Sequence, residues 1–85
     1  MTGSIYDINQ QTGRVAVLTE DGEFSVFEFL GGNSVEKGDR VRWRGATSLG
    51  PTMLTNLTRG ERYEVQFEDH WVPKSEINAL LDLAK

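Results

Sequence analysis

Residues 40–44, Arg40-Val41-Arg42-Trp43-Arg44, alternate without exception between cationic and apolar side chains. A period of two marks a strand with one face toward a core and one toward water, so Val41 and Trp43 are expected inside and three arginines outside. Lys37-Gly38-Asp39 reads as the turn that leads into this strand. Before it, residues 30–38 form a loop in which Gly31-Gly32-Asn33 holds no regular element, and after it residues 45–51 form a second loop.

Working toward the N-terminus, residues 23–29 read as the third strand and Glu20-Asp21-Gly22 as the hairpin turn before it, because a tight turn needs a residue that tolerates positive φ. Residues 14–19 form the second strand, with Val15 and Val17 on one face. Residues 4–8 form the first, closed by the turn Asn9-Gln10-Gln11-Thr12-Gly13. Toward the C-terminus, residues 52–58 make a fifth strand, and Tyr63, Val65 and Phe67 alternate with Glu64, Gln66 and Glu68 in a sixth, broken at Trp71-Val72-Pro73. From residue 74 the period lengthens. Ile77, Leu80, Leu81 and Ala84 fall on one helical stripe, with Ser75 as the expected N-cap. A helix this short is unstable alone and has to dock.

Eighty-five residues allow one core. There is no cysteine, which excludes disulfides and Cys-based zinc or iron–sulfur sites. No apolar run approaches a membrane span and the first residues do not resemble a signal peptide, so the expected location is the cytoplasm. The net charge of −4 argues against a surface that wraps nucleic acid all round. The charge is uneven: residues 1–60 carry a net −1 and residues 61–85 a net −3. One histidine, no phosphate-binding glycine loop and no nucleophile motif leave catalysis little to work with; a binding module is expected, with no cofactor and no metal. His70 is expected at the surface, Trp43 in the core, and Trp71 as an anchor for the C-terminal segment.

Gly3-Ser4-Ile5 and Asn9, Gly13, Asp21-Gly22, Val26-Phe27, Gly38 with Val41 and Trp43, and Gly50-Pro51 followed by Asn56-Leu57-Thr58 resemble, in order and spacing, the bacterial cold-shock domain. The resemblance covers residues 3 to about 59. It implies a mainly β fold, a five-stranded OB-like Greek-key barrel over residues 1–60, to which residues 61–85 add a strand and a short amphipathic helix packed on the barrel or on a partner. It also implies weak binding of single-stranded RNA or DNA by stacking bases on outward aromatics with basic residues around them. The chain departs from that pattern where it has Asp7 and Ile8 in the first strand and Arg14, Val15 and Ala16 in the second. Phe27 keeps the family aromatic, and Phe29 stands where the family usually has a histidine.

Phe27 and Phe29 share a face. In the core they would leave Phe24, Val26 and Glu28 outside; the resemblance turns Phe27 outward. The candidate nucleic-acid contacts are Phe27, Phe29, Tyr6, Arg14, Arg40, Arg42 and Arg44, and the three arginines of the fourth strand read either as a phosphate-tracking stripe or as an ordinary solvated face. The alternative function is a protein-interaction or self-association module, acting as a homodimer or with a protein partner through residues 61–85.

Overall fold

The computed structural model describes residues 1–30, 35–45 and 49–82. Its elements are β1 (Thr2–Asn9), β2 (Arg14–Thr19), β3 (Phe24–Phe29), β4 (Arg40–Arg42), β5 (Gly50–Asn56), β6 (Glu61–Asp69), a 3-10 turn (Lys74–Glu76) and α1 (Ile77–Leu81). The fold is mainly β with a short C-terminal helix, as the sequence leads one to expect. The glycine-rich part of the loop before β4, residues 46–48 of the loop after it, and Ala84 of the helical stripe lie outside the described residues.

All six strands pair antiparallel in one closed barrel, ordered β1-β2-β3-β6-β5-β4. Since β4 returns to lie beside β1, strands β4-β1-β2-β3 form a Greek key. The expected barrel and the expected added strand are both present, and the added strand is a sixth member of the closed barrel wall. β6 pairs β3 through Phe27↔Phe67 and β5 through Leu54↔Tyr63, and so joins strands that are otherwise apart. The physical reason is its inward face: Tyr63, Val65 and Phe67 are buried and belong to the same core cluster as Ile5, Val15, Val17, Phe27, Val41, Trp43 and Leu54. A boundary at residue 60 thus cuts through the barrel wall.

Local chemistry matches the strand ends. Gly22 has φ +82°, the left-handed conformation the Asp-Gly hairpin requires, and its N–H donates to the Thr19 carbonyl at 3.0 Å. Gly3 answers to a close approach instead: a Cβ there would lie 2.6 Å from the Leu18 carbonyl oxygen. At the end of β5, Asn56 is fully buried and its amide donates to Asp39 at 2.9 Å. Asp39 also accepts the Glu36 N–H at 3.0 Å and faces the Arg59 Nε at 3.2 Å. Burial by itself pushes the Asp39 carboxyl up, but the bonds from Asn56 and Glu36 and the nearby Arg59 guanidinium hold it below the usual carboxylate range.

A second, smaller cluster lies outside the barrel. Ala16 of β2 and Val26 of β3 point away from the core, and Val72, Ile77 and Leu81 cover them, with Phe24 and Leu80 at the rim. The Val72 N–H donates to the Phe24 carbonyl at 2.9 Å, and the Thr12 hydroxyl donates to the Leu81 carbonyl at 2.8 Å. Asn9 also bonds Asp82 at 2.7 Å. Residues 70–82 thus pack on their own barrel. Ser75 is not the cap that its spacing suggests: it sits inside the 3-10 turn, whose N-cap is Pro73, and no side chain caps α1. Trp71 does not anchor this segment. Its φ of +55° turns the chain, Val72 takes the buried place, and the indole is left 64% exposed. No helix among the described residues is long and apolar enough to cross a membrane.

Candidate nucleic-acid interface

The aromatic residues expected at the interface do not form one. Phe27 is 0% exposed, its ring 5.4 Å from Phe67 and 5.5 Å from Phe29. Its outward orientation is overturned because the β2–β3 register sets Phe27 opposite Val15, a core residue. The apolar residues that this arrangement turns outward are not left in water, since the C-terminal segment covers Val26 and part of Phe24. Phe29 is partly buried against the same core, edge-on to Tyr63 at 5.6 Å. Tyr6 falls in the irregular register between Ile5 and Asp7. It faces out at 38% exposure, but edge-on to Phe24, beside the covered surface. His70 is half-buried and not a surface residue: its Nδ1 lies 2.8 Å from the Ser25 hydroxyl and its ring stacks on Phe67.

The cations divide by location. Arg14 pairs with Glu68 at 3.2 Å with its side chain 13% exposed, which removes it from any phosphate-binding set. Lys37 pairs with Asp7 at 3.3 Å, and Arg59 with Glu36 and Asp39. Arg40 lies close enough to Glu20 to help lower its carboxyl, after the larger effect of the Thr2 N–H that Glu20 accepts at 2.9 Å. Among the described residues, no carboxylate pairs with Arg42, Arg44 or Arg62.

Strand register brings these together. Arg42 stands opposite Thr55 on β5, and Thr55 opposite Arg62 on β6, so two guanidinium groups flank one outward row across three strands. The alternation predicted for residues 40–44 holds: Val41 and Trp43 are buried, Arg40, Arg42 and Arg44 exposed. Met53 is exposed on the outer side of β5, and Leu49 just before the strand and Leu57 in the turn after it are exposed as well. Glu64, two residues beyond Arg62, is the acidic neighbour on this face.

β4 pairs β5 only through Val41↔Asn56 and Arg42↔Thr55, while β5 runs back to Gly50 along β6. The two strands part there, and a cleft of about 510 Å³ opens, with Arg42, Trp43 and Arg44 on one side, Thr52, Met53 and Thr55 on the other, and Arg62 beyond. That volume is typical of small-molecule sites. Trp43 packs its ring on Phe67 at 5.0 Å, and its buried indole Nε1 has no hydrogen-bond acceptor among the described residues. An orphaned buried donor costs on the order of 1–3 kcal/mol.

The sequence reading therefore found three of the four arginines on this face and missed Arg62. The signal was present: a turn at Leu57-Thr58-Arg59-Gly60 that pairs Asn56 with Glu61 necessarily sets Arg62 beside Thr55. No protein-family model, curated protein or solved structure matches the chain.

Proposed function

We propose that this protein is a small binding module, not an enzyme, that takes single-stranded nucleic acid weakly on the outer face of β4, β5 and β6. The observation that carries this reading is the segregation of cations in an acidic chain. Arg14, Lys37 and Arg59 are bound up in ion pairs. Arg42, Arg44 and Arg62 stand together with no pairing carboxylate among the described residues, beside the exposed Met53. Guanidinium groups beside apolar surface suit a strand whose phosphates carry charge and whose bases seek cover. The OB-like barrel expected from the cold-shock resemblance is compatible with this, but the face differs from the one the resemblance implies, because the outer side of β2 and β3 lies under the C-terminal segment. A cytoplasmic location agrees with such a ligand.

Against self-association through residues 61–85 stands the pairing of β6 on both sides and the packing of α1 on its own barrel. The test is titration of a labelled single-stranded oligonucleotide across salt concentrations. Three or four arginine–phosphate contacts predict a log–log salt slope of about −2 to −3. Absence of binding at low salt would overturn the reading, and saturable binding of an acidic peptide in its place would make the face a protein-interaction surface.

A further inference from the structure

We propose that β5 contacts one base of the bound strand with its own backbone: the N–H and C=O of Met53, left open where β4 ends, take the hydrogen-bonding edge of that base. This deepens the reading of the β4–β5–β6 face and rests on it. Strand register fixes which way these groups point. In an antiparallel ladder the N–H and C=O of one residue face the same neighbour, and successive residues alternate between the two neighbours. The Leu57 N–H donates to the Arg40 carbonyl at 2.7 Å, on the β4 side, and the Asn56 carbonyl accepts the Gly60 N–H at 2.8 Å, on the β6 side. β5 keeps an unbroken register with β6 from Gly50 to Asn56, so Thr55 and Met53 face β4 as Leu57 does, and Leu54 and Thr52 face β6. Thr55 has its partner in Arg42. β4 stops there, and Met53 finds no backbone partner on that side among the described residues.

The open edge is short, and its chemistry selects the occupant. Pro51, the next residue to face that side, has no N–H, so an added peptide strand would meet a single donor and could not build a ladder. One donor beside one acceptor matches a single flat group, and the edge of an unstacked base offers that pairing. The cleft of about 510 Å³ has room for it, and Met53 lines that cleft together with Arg42, Arg44 and Arg62. Those guanidinium groups suit the phosphates on either side of the base. A bare anion in its place would meet the Met53 carbonyl as well as the N–H. Since every base sets a donor next to an acceptor, a backbone contact of this kind takes all of them, and little sequence preference is expected.

The Met53 amide signal in a proton–nitrogen spectrum of the full chain provides the first readout. It is expected to shift saturably with a single-stranded oligonucleotide, and to stay in place with an abasic oligomer of the same length, which brings phosphates without bases. Met53→Pro provides the second, because it removes the open N–H at an extended position whose N–H the β6 pairing does not use, a place where proline is tolerated. Met53→Ala changes the side chain and keeps the N–H. Oligonucleotide affinity is expected to fall about tenfold in Met53→Pro and to stay within about threefold of wild type in Met53→Ala. Wild-type affinity in a folded Met53→Pro, or a Met53 amide that does not move while the oligonucleotide binds the arginine face, would overturn the base contact and leave the strand reading standing. An equal shift with the abasic oligomer would make the bound group a phosphate and overturn the base contact as well. If no oligonucleotide binds at low salt, the strand reading falls and the base contact with it.

Discussion

Across β2 and β3 the outward residues Ala16 and Val26 lie beneath Val72, Ile77 and Leu81, whereas across β4, β5 and β6 the outward Arg42, Met53 and Arg62 stand open around a cleft. Both surfaces belong to one barrel wall, built from strands that each turn one set of side chains inward and another outward. What separates them is the character of the outward set. Ala16 and Val26 are small and apolar, so covering them gains free energy, and Val72, Ile77 and Leu81 each contribute on the order of 1.5–3 kcal/mol by leaving water. Arginines on the other face could not be covered so cheaply, since a buried charge without a partner is costly. The face that carries the arginines is thus the one that packing leaves open.

If that contrast is right, the C-terminal quarter belongs to the structure and its loss has the largest effect. Truncation after Gly60 removes β6 and leaves β3 and β5 without their shared neighbour, so the shortened chain is expected to show no cooperative melting and no dispersed amide spectrum. A folded, soluble monomer would show that β3 and β5 can close the barrel alone. Next is Phe27→Ala, which empties the centre of the core and should cost about 3–5 kcal/mol in denaturant unfolding. A near-neutral result would return Phe27 to the surface and restore the aromatic interface the structure removes. Ile77→Ala probes the cover itself, with an expected loss of roughly 2 kcal/mol, the low end for such a truncation because the cluster is small.

Asp39→Asn sharpens the comparison from the side of charge. It places a donor amide against the donors Asn56 and Arg59, for an expected loss of about 1–3 kcal/mol at neutral pH. The folded-state carboxyl is held below its ordinary value. Its contribution is therefore complete above about pH 4, the ordinary carboxylate range, and disappears as pH falls through the lower folded-state value. The wild-type stability curve should fall in that acid window, and the variant's should fall less steeply there. Smallest in stability is the pair Arg42→Gln and Arg62→Gln. These exposed changes should alter unfolding by no more than about 0.5 kcal/mol. Each should nonetheless reduce the salt slope of oligonucleotide binding by about one unit. A large loss of stability would mean that the arginines brace the sheet.

Much of the architecture was legible in the chain because period-two patterns and Gly-marked turns act locally. Residues 40–44 alternate as read, and Asp21-Gly22 turns where expected. Val65 and Phe67 announce a buried strand, and Ile77 and Leu81 a docked helical stripe. These depend on backbone geometry and on which side chains avoid water, both of which a single segment expresses. Register and partner choice are different. Whether Phe27 faces in or out depends on its pairing with Val15 and Phe67, residues distant in sequence, and on whether a later segment covers Val26. Arg14 is a free cation in the sequence and an ion pair with Glu68 in the fold; Arg62 is an isolated residue in the sequence and one side of an arginine cluster in the fold. Trp71 and Val72 exchange the places their hydrophobicity suggests because the backbone turns at φ +55°. Alternation determined that each strand has two faces; only closure of the barrel, through long-range pairing and the burial it allows, decided which faces are covered and which remain open.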